Sequence, residues 1–310
     1  MIVITRFEKF PRLAKKSALA IGNFDGLHLG HQKILKLLVR ISKKKNLFSL
    51  VLTFSPHPEK IFKKGSVSMI QTLEQRLGGI KEFGVQAVIV TPFTEQFSNL
   101  SSREFIQETV IGRLQAKEVI VGKNFRFGKN REGDIFLLRK LGKEFGLRVH
   151  SMPSVKKNGK IVSSSLIRNL LQKGKIQEAN KLLGKTYEIS GRVVKGERRG
   201  KTIGFPTANI QTSNEITPPG VFITTTSIGS RTYPSLTNIG VRPTFNQKEL
   251  NIESYIINFK KNLYGKKIRI NFLKKIRREI KFRNQRALSL QIEKDLQLAK
   301  NYFLDFFPEI

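Results

Sequence analysis

A change of pattern near Gly184 constrains the fold of this 310-residue chain more than any other feature. Before it, short apolar runs alternate with segments of helical periodicity, which indicates a parallel sheet covered by helices. After it, short strand-like runs are separated by Gly and Pro, which indicates a small β-barrel. We therefore predict an α/β chain with two domains, residues 1–183 and residues 184–310.

The expected elements follow the same division. In the first half we expect strands at 18–22, 48–54, 87–91 and 118–121, and helices at 30–45, 72–83, from 102, and at 134–145, 164–171 and 176–183. In the second half we expect strands at 187–194, 220–225 and 253–259, and one C-terminal helix at 288–303.

Composition excludes some classes of site. There is no cysteine, so disulfides, thiolate catalysis and cysteine-based zinc sites are impossible. The 57 Lys and Arg against 23 Asp and Glu give a net charge of +34. This charge suggests either nucleic-acid binding or a lysine-rich surface that attracts nucleotides. The basic residues are scattered over both halves, which favours the second alternative. No apolar run approaches the roughly 18 residues of a membrane span, and we expect a cytoplasmic protein with no membrane or specific nucleic-acid partner.

The first candidate site is the string that follows the expected strand 18–22 and opens the first helix. Ligands of open parallel sheets bind at the carboxyl ends of strands, and helix starts offer N–H groups to phosphate. His28 and His31, three residues apart, could donate to a departing pyrophosphate. The alternatives are half a zinc site completed by His57 and simple helix-start packing. The candidate ATP and phosphate ligands here are Gly22, Asn23, Phe24 and Gly30.

Two further segments of the first half carry polar candidates. Ser164 lies at the start of the expected helix 164–171, where it could cap the helix or, with Arg168 in the first turn, contact phosphate. Asn124 and Arg126 are expected on one face of a strand at 124–128, with Phe125 and Phe127 on the other face, towards the core.

The second candidate site starts with a glycine-rich loop at 196–202. It has three residues between its glycines where the Walker A pattern needs four, and Pro206 prevents the helix that such a loop should open. We therefore reject a P-loop, although the backbone could still wrap phosphate. The candidate phosphate ligands are Gly196, Gly200 and Lys201.

Thr207 and Asn209 follow in an extended segment and share one face of it. Their hydroxyl and amide oxygens suit Mg²⁺, although a polar strand edge would look the same.

Several strings resemble motifs of one enzyme family, in that family's domain order. GNFDGLHLGH at 22–31 resembles the HxGH signature of nucleotidylyltransferases as found in bacterial FAD synthetases, and the segments 53–58, 122–128 and 163–168 resemble further motifs of that group. KGERRGKTIGFPTANI at 195–210, NIGVRPTF at 238–245, and IESY at 252–255 followed by LYG resemble riboflavin kinases. The chain thus resembles bifunctional riboflavin kinase/FAD synthetases over nearly its whole length.

This resemblance implies a Rossmann-like N-terminal domain of the HxGH type and a riboflavin kinase barrel. It implies that riboflavin is phosphorylated to FMN with ATP and Mg²⁺, and that FMN is then adenylylated to FAD. Glu253 is the expected catalytic base of the kinase, and Thr207 and Asn209 its metal ligands. Asn124 and Arg126 are the expected flavin ligands of the first domain.

Overall fold

A computed structural model describes residues 1–5, 15–62, 67–196, 204–243 and 248–304. It divides the chain into two compact units, Met1–Ser164 and Ser165–Ile310. None of the helices in these ranges is long and apolar enough to cross a membrane.

The first unit alternates strands and helices as the sequence predicts. Its strands are β1 (Ile2–Ile4), β2 (Ser17–Ile21), β3 (Phe48–Phe54), β4 (Ala87–Thr91), β5 (Ala116–Gly122), β6 (Arg148–Met152), β7 (Lys156–Lys157) and β8 (Lys160–Ile161). Its helices are α1 (Leu29–Lys45), α2 (Pro58–Phe62), α3 (Leu73–Glu82), α4 (Glu95–Ser98), α5 (Ser102–Glu104) with the π-helical Phe105–Arg113, a 3-10 turn at Lys129–Arg131, and α6 (Ile135–Glu144).

The central sheet is parallel throughout and has the order β1-β4-β3-β2-β5-β6. Successive residues of β2 face opposite sides: Leu19 packs into one core cluster, and Ala18 and Ala20 into the other. Helices therefore cover both faces, as buried parallel sheets require. The strand order reverses between β2 and β5, so the carboxyl ends of these two strands form the switch point at which open α/β sheets bind ligands.

The segment after β5 differs from the prediction. Residues 123–124 form a turn and residues 125–126 are irregular, in place of the expected strand at 124–128; the N–H of Phe125 donates to the carbonyl of Gly122 at 3.0 Å. A bridge between Phe127 and Gly133 then closes a short loop. The two phenylalanines are still on one side, because their rings stack 5.6 Å apart at 11° and pack against the core.

The second unit is a barrel with helices. It contains α7 (Ser164–Gln172, whose first residue is counted with the first unit), α8 (Ile176–Leu183), β9 (Tyr187–Val194), β10 (Ala208–Thr212), β11 (Gly220–Ile228), β12 (Arg231–Pro243), β13 (Lys248–Ile256), β14 (Lys267–Arg277) and α9 (Gln285–Phe303). The strands close in the order β10-β13-β12-β11-β14-β9, and each pair is antiparallel. The strand expected at 253–259 instead ends at Ile256, because Asn258 adopts a left-handed φ of 56° in a turn.

Hydroxyl groups fix the register of three barrel strands. A ring of contacts runs from Thr224 to Ser235, Thr226, Ser254, Thr237 and back to Thr224, with oxygen separations of 2.8–3.3 Å. All five of these residues, including Ser254, are fully buried at 0% exposure. Because side chains alternate along a strand, the inward position of Ser254 turns the neighbouring Glu253 to the outer face of the barrel.

Two helices of the second unit are tied to the barrel by polar contacts. Asn180 of α8 donates to the carbonyl of Phe272 and accepts from the N–H of Tyr187, both at 2.8 Å. Asp295 of α9 is 1% exposed and accepts two hydrogen bonds from Arg277 at 2.7–2.9 Å through one oxygen. The α8 helix thus packs on the barrel although our sequence-based boundary assigns it to the first domain, and those bounds remain a proposal.

Candidate active sites

The loop between β2 and α1 brings most candidates of the first site together. It begins at Gly22, whose N–H donates to the carbonyl of Leu52 at 3.1 Å, and ends at His28, the N-cap of α1. Phe24 and Leu27 adopt left-handed φ values of 52° and 45°, which non-glycine residues rarely do. Two such residues in one short loop cost about 1–3 kcal/mol each, and such strain is typical of functional sites.

His28 and His31 are stacked, with ring centroids 3.7 Å apart and planes at 15°. Nδ1 of His28 accepts from the N–H groups of Gly30 and His31 at 3.2 and 3.4 Å. A neutral His28 therefore carries its proton on Nε2, which is left as its donor. Two of the helix-start N–H groups that we expected to be available for phosphate are thus already used inside the loop.

The lack of a side chain at Gly30 relieves crowding in this arrangement. A Cβ atom at position 30 would lie 3.1 Å from Cε1 and 3.2 Å from Nδ1 of His28. Gly30 therefore leaves room for the imidazole of His28, which caps α1. This is separate from the close approach of a ligand to the Gly30 backbone that we expected from the sequence.

The ring of His31 lies against Phe24, with centroids 5.3 Å apart. Burial, then the neighbouring His28, then Arg76 lower the pKa of His31 well below its ordinary value. His31 is therefore neutral near pH 7. Phe24 itself is 0% exposed, so the predicted role of Phe24 in ATP binding is restricted to its backbone.

His57 and Asn23 lie together, with the Asn23 amide nitrogen 2.8 Å from Nε2 of His57. The Nδ1 atom of His57 accepts from the N–H of Glu59. Across the described ranges there is no group of three His, Asp or Glu side chains that could hold a metal, so the zinc alternative has no support there.

Our sequence analysis missed Arg76. It is 3% exposed, and its guanidinium donates to the carbonyls of Asn23 at 2.7 Å and Phe54 at 3.1 Å. Burial lowers its pKa, and the nearby Asp25 opposes this. A signal was present, because Leu73, Arg76 and Ile80 follow the three-and-four spacing of one helix face, which puts the arginine among apolar residues.

The start of α7 is tied to the same loop. The hydroxyl of Ser164 donates to the carbonyl of Asp25 at 2.9 Å. Arg168 lies four residues further along this helix. The contact supports a role of Ser164 at the loop, whereas the role of Arg168 rests on the motif.

Asn124 and Arg126 line a pocket of about 480 Å³ at the ends of β5 and β6. Its walls mix basic and aromatic groups, including Lys123, Arg139 and the 74% exposed Phe136. Arg126 is 3.7 Å from Asp134 in an exposed pair that contributes little. The pocket suits an aromatic ligand that carries negative charge.

On the barrel, three polar residues form a row across adjacent strands. Glu253 of β13 is directly opposite Asn209 of β10 on one side and Asn238 of β12 on the other. Glu253 accepts from the amide of Asn251 at 3.1 Å. Oδ1 of Asn238 is buried and has no hydrogen-bond partner among the residues that the structure describes. The register therefore brings together two candidates, Asn209 and Glu253, that are far apart in the sequence, and it adds Asn238.

The backbone of the loop before β10 packs closely against Asn209 of this row. A Cβ atom on Gly196 would be 2.2 Å from Nδ2 of Asn209, so only glycine leaves space for that amide. Thr207 is half-buried immediately before β10. Gly200 and Lys201 lie outside the described residues. The segment 204–212 contains no helix, in agreement with our rejection of a P-loop.

The fold and the sites define a class: an enzyme with a nucleotide-binding parallel sheet and a separate β-barrel that carries a carboxylate and amides. The FAD synthetase family model matches residues 10–166, and the riboflavin kinase family model matches residues 183–303. The chain belongs to the bifunctional riboflavin kinase/FMN adenylyltransferase family, as the resemblance of its motifs predicted. Enzymes of this family use ATP, generally with a divalent metal ion.

Relatives match over almost the whole chain. A bifunctional riboflavin kinase/FMN adenylyltransferase of Buchnera aphidicola subsp. Schizaphis graminum is 37% identical and covers 98% of this chain and 99% of its own. The enzyme of that name from Bacillus subtilis (strain 168) is also 37% identical, over 93% of each chain. A crystal structure with a different functional name, a macrolide-efflux protein from Streptococcus pneumoniae, has a TM-score of 0.89 at 28% identity and covers 97% of this chain and 99% of its own.

Proposed function

We propose that residues 184–310 phosphorylate riboflavin to FMN, and that residues 1–183 transfer AMP from ATP to FMN to make FAD. The observation that carries this proposal is that each half has its own polar site, and that the two sites differ in chemistry. The barrel row contains a carboxylate, whereas the loop between β2 and α1 presents histidines and a buried arginine.

In the kinase reaction, the 5′-hydroxyl of riboflavin attacks the γ-phosphorus of ATP and ADP leaves. A hydroxyl is a poor nucleophile at pH 7, so a positioned base should contribute. Glu253 is the proposed base, because strand register places it between Asn209 and Asn238 in the polar row on β10, β13 and β12. The glycine-rich loop, through Gly196, Gly200 and Lys201, is the proposed phosphate contact.

Thr207 and Asn209 are the proposed ligands of Mg²⁺. Their oxygens are of the hard type that this ion prefers, and the space at Gly196 lets the Asn209 amide occupy its position. When bound with ATP, Mg²⁺ would neutralise negative charge on the phosphates.

In the adenylyl transfer, a phosphate oxygen of FMN attacks the α-phosphorus of ATP and pyrophosphate leaves. The phosphate is already ionised near pH 7, so this step needs no base. His28 and His31 are the proposed donors to the pyrophosphate, with Gly22, Asn23, Phe24 (through its backbone), Gly30, Ser164 and Arg168 as the proposed surroundings of ATP. Asn124 and Arg126 are the proposed flavin ligands, supported by the pocket that they line.

The test is to incubate the full chain with riboflavin, ATP and Mg²⁺ and to separate the flavins by chromatography over time. We expect FMN to appear before FAD, and FMN supplied directly to become FAD. A reaction without ATP and one with excess EDTA are the controls. If neither FMN nor FAD forms with the metal present, the proposal is wrong. The cytoplasmic location stays a prediction.

A further inference from the structure

Arg76 is a buried cation that joins two strand ends beneath the candidate adenylyl-transfer site. Its two terminal nitrogens donate to the carbonyl of Asn23, just after β2, and to the carbonyl of Phe54, the last residue of β3. Only 3% of the Arg76 surface is exposed, so the side chain is buried beneath the loop and is not accessible to a ligand.

The loop that Arg76 supports is strained and needs such ties. Phe24 and Leu27 are left-handed, so the loop keeps its shape only where its surroundings enforce it. Longer contacts also hold the loop. The hydroxyl of Ser164 donates to the carbonyl of Asp25 at 2.9 Å, the carboxylate of Asp25 accepts from the N–H of Ile70 at 3.0 Å, and the hydroxyl of Thr53 donates to the carbonyl of Asn23 at 3.2 Å. Arg76 makes the shortest of these contacts, at 2.7 Å.

Arg76 also brings positive charge to a place where charge is costly. Its Nε is buried and has no hydrogen-bond partner within the described part of the chain. Two titratable groups interact electrostatically with Arg76: Asp25, which partly balances its charge, and His31, whose pKa the Arg76 charge helps to lower. A buried arginine with unused donor capacity is destabilising by itself. A triphosphate bound above the loop would compensate it.

We propose that Arg76 is a positioning residue for adenylyl transfer: it holds the loop between β2 and α1 in the shape in which His28 and His31 face the departing pyrophosphate. This role rests on the proposed function. Arg76 does not touch the reacting atoms in this assignment. Because it acts through backbone carbonyls and charge, its two contributions can be separated by substitution.

Arg76→Gln removes the charge and one of the two carbonyl contacts, whereas Arg76→Lys keeps the charge and one contact. A displacement of about 1 Å at a reacting centre can cost on the order of 10²-fold in rate. For Arg76→Gln we expect the kcat of FMN adenylylation to fall about 10²-fold, with a smaller change in the KM for ATP. We expect Arg76→Lys, which lacks one of the two carbonyl contacts, to recover about tenfold of this loss and to stay about tenfold below wild type.

The full-length enzyme supplies its own control, because riboflavin phosphorylation occurs in the other half and should stay within about twofold. Arg103→Gln is the matched control variant, since Arg103 is an exposed arginine in a two-contact pair with Glu144. A second readout is the NMR titration of His31. Loss of the Arg76 charge should move the pKa of His31 upwards in Arg76→Gln and not in Arg76→Lys.

The outcomes separate two failures. If the wild type makes no FAD from FMN, the proposed function is wrong and this role fails with it. If the wild type makes FAD and both Arg76 variants stay within about threefold of its kcat, only the role of Arg76 is wrong. If Arg76→Gln unfolds the first unit, Arg76→Lys decides: wild-type kinetics there would show that Arg76 merely stabilises the fold.

Discussion

Glu253→Gln is the sharpest test of the barrel site, because it removes a charge and almost nothing else. The backbone of β13 pairs with β10 and β12 whatever the side chain is. The contact from Asn251 to Glu253 at 3.1 Å can be kept by the oxygen of a glutamine. We therefore expect the free energy of unfolding to change by no more than about 0.5 kcal/mol.

The effect on catalysis should be much larger. A positioned general base contributes roughly 10²–10⁴-fold, which corresponds to about 3–5 kcal/mol of activation free energy. The kcat of FMN formation should fall by that factor, while the KM for ATP changes less than about threefold. FMN supplied directly should still become FAD at the wild-type rate, because that step takes place in the first domain.

Steady-state kinetics of riboflavin phosphorylation and of FMN adenylylation test whether Glu253 is the base. Glu188→Gln is the matched control: Glu188 is also a half-buried strand carboxylate of the barrel, but it lies on β9, opposite Asn271 of β14. This variant should keep both activities. A kinase kcat within about threefold of wild type in Glu253→Gln would refute the assignment, because loss of a general base cannot be so mild.

Three further predictions follow from the described contacts. Replacing His28 or His31 by Ala should lower FMN adenylylation about 10²–10³-fold, as loss of one preorganised donor does, and leave riboflavin phosphorylation unchanged in the same assay. A fragment of residues 184–310 should make FMN but no FAD. A longer fragment, residues 165–310, should have a melting temperature about 10 °C or more above that of the 184–310 fragment in calorimetry, because it retains the buried residues of α8. Equal melting temperatures would contradict this. Asp295→Asn should lower the free energy of unfolding in urea by about 3 kcal/mol or more, because it removes the buried negative charge that pairs with Arg277. A change below about 1 kcal/mol would refute this prediction.

Local patterns were sufficient to predict much of the architecture. The expected helix at 30–45 is α1 within one residue, and the expected strands at 48–54 and 87–91 coincide with β3 and β4. These elements have strong periodicity or continuous apolar runs, and their ends carry clear signals. The strands that we did not predict include β6, whose sequence mixes Arg, His and Ser with apolar residues and gives no clean alternation.

The site could be predicted only in part, because long-range register and side-chain geometry decide the rest. No local pattern predicts that Asn238 lies opposite Glu253, since this depends on the pairing of β12 with β13. Nor does a motif show that Nδ1 of His28 caps its own helix. At 124–128 the alternation of aromatic and polar residues predicted a strand, but the pairing of Phe127 with Gly133 closes a short loop there.

The charges at the two sites correspond to the two proposed nucleophiles. The barrel row presents a carboxylate on its outer face, as an alcohol nucleophile requires. The carboxylate of the first loop, Asp25, is instead 1% exposed and accepts from the N–H groups of Ile70 and Gln71, so it fixes the loop. This loop instead has the buried Arg76 cation below it and the imidazole groups of His28 and His31 as proposed donors, which suit a phosphate that is already ionised and a leaving pyrophosphate. Since the groups proposed for each reaction are absent from the other site, we expect single substitutions in one site to leave the other reaction intact.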